Sequence, residues 1–130
     1  MNKEKLIEKL ETSGFIKSNN YKIEEIKENK SVTIKGYLKD TSYNPYDMAH
    51  GGYIFGLGDT AMGIAASATG RQAVTLSASI NYLKPSYGKY LVAKAKIIKQ
   101  GKSVCYLTTN IYNDKKELVA TMESNYFYVN

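Results

Sequence analysis

At 130 residues the chain has the length of one domain and can bury one real hydrophobic core. Its single cysteine, Cys105, excludes an internal disulfide, and with only one histidine, His50, a zinc centre built from N and S ligands is not expected. The net charge is +6, but the lysines are scattered singly, which argues against a dedicated nucleic-acid face and suits steering of a small anionic partner toward a cleft.

The first residues, MNKEKLIEKLETSG, are charged throughout and lack the apolar core of a signal peptide, so a soluble cytoplasmic protein is expected. Within them, residues 3–12 place Leu6, Ile7 and Leu10 on one stripe of a short amphipathic helix, with Ser13-Gly14 as its stop. Residues 21–27 (YKIEEIK) read as extended. Glu28-Asn29-Lys30 can turn the chain into residues 31–39, where Val32 and Ile34 alternate with Thr33 and Lys35. Residues 40–48 are rich in turn formers, and Pro45 pushes Asn44 out of helical geometry.

Residues 51–69 are too long for a strand. As a transmembrane helix they would put Asp59 at the bilayer centre without a second span or basic flank, so no membrane association is expected. A buried central helix fits. Ile54, Leu57, Ala61, Ile64 and Ala65 make one face, Gly56, Gly63 and Ala66 the other, and Gly70 ends it. Small residues all round would let a sheet wrap closely. Asp59 is the anomaly, because a carboxylate on a greasy helix is expensive to bury unless something uses it.

Beyond Arg71 the period changes from helical to two. Four strands of about ten residues, at 73–83, 91–99, 103–112 and 117–129, read as an antiparallel meander joined by short turns, the first at Pro85–Gly88. No repeat or linker interrupts the chain, so residues 1–130 form one domain on this reading. The fold class is α+β, a curved antiparallel sheet around one long helix with a short N-terminal helix.

Three blocks carry a resemblance: Asn44 with His50-Gly51-Gly52-x-x-Phe55-x-Leu57-x-Asp59-Thr60-Ala61, then Ala73-Val74-Thr75, then Ile80-Asn81-Tyr82-Leu83-Lys84-Pro85. Over roughly residues 30–129 the chain resembles the hotdog-fold acyl-CoA thioesterases of the phenylacetic-acid-degradation type. The resemblance implies a hotdog fold, hydrolysis of an acyl- or aryl-CoA thioester, no cofactor or metal, and homo-oligomers (dimers or dimers of dimers, commonly tetramers) with joint active sites.

Thioester hydrolysis needs an oxyanion stabiliser and a base or nucleophile. Gly51, in the first helical turn, offers an unencumbered N–H backed by the helix dipole. Asp59 lies about 12 Å further along the helix axis, so one helix cannot bring both groups to one carbonyl. If both act on one thioester, they come from two chains. The role of Asp59, general base or nucleophile, stays open.

Other assignments follow the resemblance, each beside a plainer reading. Asn44 matches a family position near the acyl or water site, or is a turn residue before Pro45. Thr75 can hold the water, or is an ordinary strand threonine. His50 fits a loop-fixing hydrogen bonder better than a base, and Gly52 supports the same turn or merely permits close packing. Met62, Gly63 and Ala66 are small enough to line a site for an aryl or medium acyl group. Arg71, Lys84 and Lys102 are candidates for the coenzyme A phosphates, or simply solvated surface. Cys105, mid-strand with no second histidine to activate it, reads as packing.

Two positions depart from the family pattern: Asp47 stands where many relatives have glycine, and Gly58 replaces an alanine, loosening the helix by about 1 kcal/mol. The alternative function is a non-catalytic hotdog module that senses acyl-CoA. A dehydratase on this fold would need a second acid to accompany His50, and none is apparent.

Overall fold

A computed structural model describes residues 2–68 and 70–130. Met1, which opens the expected domain, and Thr69, which closes the expected long helix, lie outside the described residues.

Helix α1 spans Lys3–Glu11, and its N-terminus is capped by the Asn2 side chain, which accepts from the Lys5 N–H at 3.1 Å. Its stripe of Leu6, Ile7 and Leu10 is half-buried against the core. A second short helix, α2 (Gly14–Ser18), follows directly, where the sequence showed only a stop. Strands β1 (Tyr21–Lys27) and β2 (Ser31–Tyr37) pair as the expected hairpin, and Asn29 takes the left-handed conformation (φ 59°) that a tight turn demands.

Helix α3 (Gly51–Ser67) runs through the middle of the molecule. Strands β3 (Ala73–Tyr82), β4 (Tyr90–Gln100), β5 (Val104–Asn113) and β6 (Leu118–Tyr128) complete one six-stranded antiparallel sheet in the order β1-β2-β4-β5-β6-β3. The sheet curls around α3, and Ile34, Leu57, Ala61, Leu91, Leu107 and Ile111 are fully buried between them. This is the hotdog arrangement.

The expected four-strand meander is corrected. β4, β5 and β6 form one, but β3 pairs with β6, from Ala73↔Tyr128 to Tyr82↔Ala120, and becomes the edge. The reason lies in the connection. Hairpin loops run about two to five residues, whereas residues 83–89 cross the end of the sheet. There the N–H of Leu83 donates to Val119 O (2.8 Å), and Ser86 O accepts from Ala49 N–H (2.9 Å). Burial agrees: Leu91 and Ala93 of β4 are covered completely, while Val74 and Leu76 of β3 are 52% and 60% exposed.

Gly58 is a second correction. A Cβ there would sit 2.1 Å from the Sδ of Met122, a β6 side chain buried in the core. The missing side chain is therefore space that Met122 fills rather than slack in the helix.

Candidate active site

The chain enters α3 through a turn that the side chains themselves build. Asn44 Oδ1 accepts from the N–H groups of Tyr46 (2.9 Å) and Met48 (3.1 Å), an Asx turn that holds the loop. Asp47 takes φ 61°, so it keeps the left-handed backbone that a glycine would supply, and aspartate is among the few residues that tolerate it. His50 is the N-cap of α3, and its Nδ1 accepts from the Gly52 N–H at 2.8 Å. The Gly51 N–H donates to no partner among the described residues. Its carbonyl takes a 2.7 Å bond from the Tyr82 hydroxyl. Asn44, Gly51, Ile54, Tyr82 and Lys84 line one open cleft of about 390 Å³.

Asp59 faces elsewhere. It is half-buried, not buried as its greasy helix led us to expect, and it opens onto a different cleft of about 490 Å³ with Leu10, Gly63, Ile64, Val74 and Thr75. Thr75 Oγ1 donates to Asp59 Oδ1 at 2.9 Å. The Tyr126 hydroxyl reaches the same Oδ1 and lies 2.6 Å from the Asp59 carbonyl oxygen. Asp59 Oδ2 receives no hydrogen bond from the described residues, so the carboxylate is gripped by one oxygen and open at the other. Burial first, and then the bond to Asp59, push the Tyr126 phenol far above the ordinary tyrosine range, which keeps it a donor.

Thus the structure brings together Asp59, Gly63 and Thr75 in one cleft and Asn44, Gly51 and Lys84 in another. Two expected acyl contacts are corrected. Met62 is fully buried, with its Sδ accepting from the Ser124 hydroxyl at 3.0 Å, and Ala66 is fully buried with its carbonyl bonded by Tyr128. Both pack against β6, and neither lines the cleft. Of the expected phosphate contacts, Arg71 lies 3.7 Å over the Tyr128 ring and donates to the Lys102 carbonyl, and Lys84 pairs with Glu117 at 2.9 Å. The Lys102 side chain is at the surface. Cys105 is buried in the core, where burial pushes its thiol up, away from the reactive thiolate.

Sequence reasoning missed Tyr126. Nothing separates it from eleven other tyrosines except its place on the buried face of β6 opposite a helical glycine. Among the described residues no group of three or more His, Cys, Asp and Glu side chains gathers as a metal site, and no helix is long and apolar enough to cross a membrane.

The model of the thioesterase superfamily matches residues 46–120, a stretch that holds His50, Gly51, Asp59, Thr75 and Pro85. The chain belongs to the thioesterase superfamily. It is 32% identical over 94 residues to a putative esterase of Archaeoglobus fulgidus, covering 72% of this chain and 61% of that one. It is 35% identical over 78 residues to the acyl-coenzyme A thioesterase PaaI of Escherichia coli, covering 59% and 56%. The matched stretch thus spans about three fifths of these curated relatives.

The solved structure of E. coli PaaI superposes with a TM-score of 0.90 at 23% identity over 98% of this chain and 92% of that one, which establishes the hotdog fold. A hypothetical thioesterase of Streptococcus pneumoniae, solved with coenzyme A, gives 0.80 at 32% identity over 85% and 87%. Two more structures of that streptococcal protein, at TM-scores of 0.80 and 0.79 and 31% identity, cover 85% of this chain and 92% and 91% of theirs. Each carries one alanine substitution, of an aspartate in one and of a threonine sixteen positions later in the other.

Proposed function

We propose that this chain is an acyl-CoA thioesterase that hydrolyses an acyl- or aryl-CoA to the free acid and coenzyme A. The observation that carries the reading is the Asp59 carboxylate, held through Oδ1 by Thr75 with Oδ2 left open toward a cleft. Asp59 and Thr75 are 16 residues apart, the separation of the aspartate and threonine replaced in the streptococcal thioesterase that was solved with coenzyme A.

In the proposed reaction Asp59 Oδ2 takes a proton from water as the water oxygen adds to the thioester carbon, and collapse of the tetrahedral adduct expels the coenzyme A thiolate, which takes that proton back from Asp59. Before collapse the oxyanion of the adduct is received by the Gly51 N–H of a second copy, at the positive end of α3. Asn44 fixes the loop that presents that N–H. Support for two chains is the separation of the clefts of Gly51 and Asp59, and the character of β3. It is a ten-residue edge strand with Val74, Leu76 and Tyr82 exposed, a surface suited to pairing with another copy. Residues 1–130 would then act as one hotdog domain within a homodimer or a dimer of dimers. The reduced, buried Cys105 suits the cytoplasm. Lys84, on the rim of the Gly51 cleft, with Arg71 and Lys102, would meet the coenzyme A phosphates.

Steady-state cleavage of a thioester panel by wild type and Asp59→Asn tests the proposal. Turnover by the wild type, with kcat lower by about 100-fold or more in the variant, is the expected result. Binding of acyl-CoA without turnover by either protein would instead identify a non-catalytic sensor.

A further inference from the structure

Tyr126 stands on β6 against the middle of α3, and it is only 3% exposed. Its hydroxyl lies within bonding distance of two acceptors on the same residue, the Asp59 carbonyl and Asp59 Oδ1. A phenol has one hydrogen to give. The carbonyl already accepts within the helix, from the N–H four residues on, whereas the carboxylate is charged and makes the stronger bond. Oδ1 therefore takes two donors, from Thr75 and Tyr126, and the side chain loses its freedom to rotate.

Gly63 makes this approach possible. It is one turn beyond Asp59 on the same side of α3, and a Cβ there would lie 3.3 Å from both Cε2 and the hydroxyl oxygen of Tyr126. That is tighter than ordinary van der Waals contact, so a side chain at 63 would require the ring that carries the hydroxyl to shift by a few tenths of an ångström. Across α3, the neighbouring Gly58 is filled from β6 in the same way by Met122. The two glycines are sockets for β6 side chains.

Resting on the thioesterase reading, we propose that Tyr126 is a positioning residue, seated in the socket of Gly63. It pins Asp59 Oδ1 so that Oδ2 is the oxygen offered to water. Gly63 is then conformational clearance for the phenol, and its part in the cleft wall is secondary.

Tyr126→Phe keeps the ring and removes one oxygen, so the fold is retained and only the clamp is lost. We expect kcat to fall about 10- to 100-fold with KM changed less than about twofold, because orientation of the base matters in the transition state. Gly63→Ala should lower kcat in the same direction by less, and the double variant should be no worse than Tyr126→Phe alone, because both act on one contact. An unchanged kcat in Tyr126→Phe, while wild type is active and Asp59→Asn is not, would overturn the clamp and leave the enzyme standing. The Asp59 side-chain rotamer, read from three-bond couplings by NMR in wild type and Tyr126→Phe, decides the clamp independently of turnover. A single rotamer in wild type that becomes averaged in the variant supports it, and an unchanged rotamer population overturns it even where no thioester is cleaved.

Discussion

Gly58→Ala sets two physical effects against each other. Alanine is the better helix former by about 1 kcal/mol, so on an unobstructed helix the change stabilises. Here the added Cβ would lie 2.1 Å from Met122 Sδ and 3.2 Å from Ile111 Cδ1. Met122 is 4% exposed and Ile111 fully covered, so the sulfur must move by more than an ångström within a filled core. Overpacking of this kind costs about 1–3 kcal/mol, and the flexible thioether places the site in the lower half of that range. The net expectation is a loss of up to about 1 kcal/mol, which for a domain of this size lowers the melting temperature by up to about 3–5 °C. Thermal melts followed by circular dichroism, with urea titrations to check the slope, measure it directly. In a Met122→Ala background the sulfur is gone, and the same Gly58→Ala step should become stabilising by about 1 kcal/mol. A rise in melting temperature for Gly58→Ala in the wild-type background would refute the packing argument.

Two further outcomes follow from named contacts. His50→Ala deletes the acceptor for the Gly52 N–H at the start of α3 and should cost about 1 kcal/mol in urea unfolding, whereas His50→Asn retains a capping oxygen and should cost less. Burial holds the phenols of Tyr21, Tyr53 and Tyr126 protonated above the ordinary value of 10.0, so the unfolded chain gives up these protons first as pH rises. Their contribution is complete below about pH 10 and drains away above it. The melting temperature should therefore fall steeply on the alkaline side of that value, and by a shallower slope in Tyr21→Phe.

Much of the fold was legible because the two periodicities are clean. The helical run after His50 and the alternation in β4, where Leu91, Ala93 and Ala95 are covered, both correspond to what the structure shows. Strand order was not legible, because the alternation of Val74, Leu76 and Ile80 with Thr75, Ser77 and Ser79 in β3 looks the same at the centre or the edge of a sheet. Only the length of the crossing at 83–89 distinguishes the two.

At the site, sequence spacing located Asp59 along α3 but not the rotation of the helix about its axis. Thr60, Gly63, Ile64 and Ser67 lie to one side of Asp59 and line the cleft. Met62 and Ala66 lie to the other side and are buried against the sheet. Asp59 stands at the boundary, which is why it is half-buried and why two of the three residues expected to line the acyl site, Met62 and Ala66, do not. Tyr126 was illegible for a different reason, since its partner is 67 residues away and the pairing is decided by β6 curling over α3.

The shared site is tested most directly by complementation. Asp59→Asn removes the carboxylate. Gly51→Pro removes the backbone N–H at a first-turn position where proline fits the helix, after a His50 whose extended backbone (ψ 139°) accepts it. Each variant alone should be nearly inactive. Co-assembled from equal amounts, they should recover roughly a quarter of wild-type activity, because half of the random dimers carry one intact site of two. A mixture no more active than its parts, with both variants folded and assembled, would contradict a site built from Asp59 of one subunit and Gly51 of another.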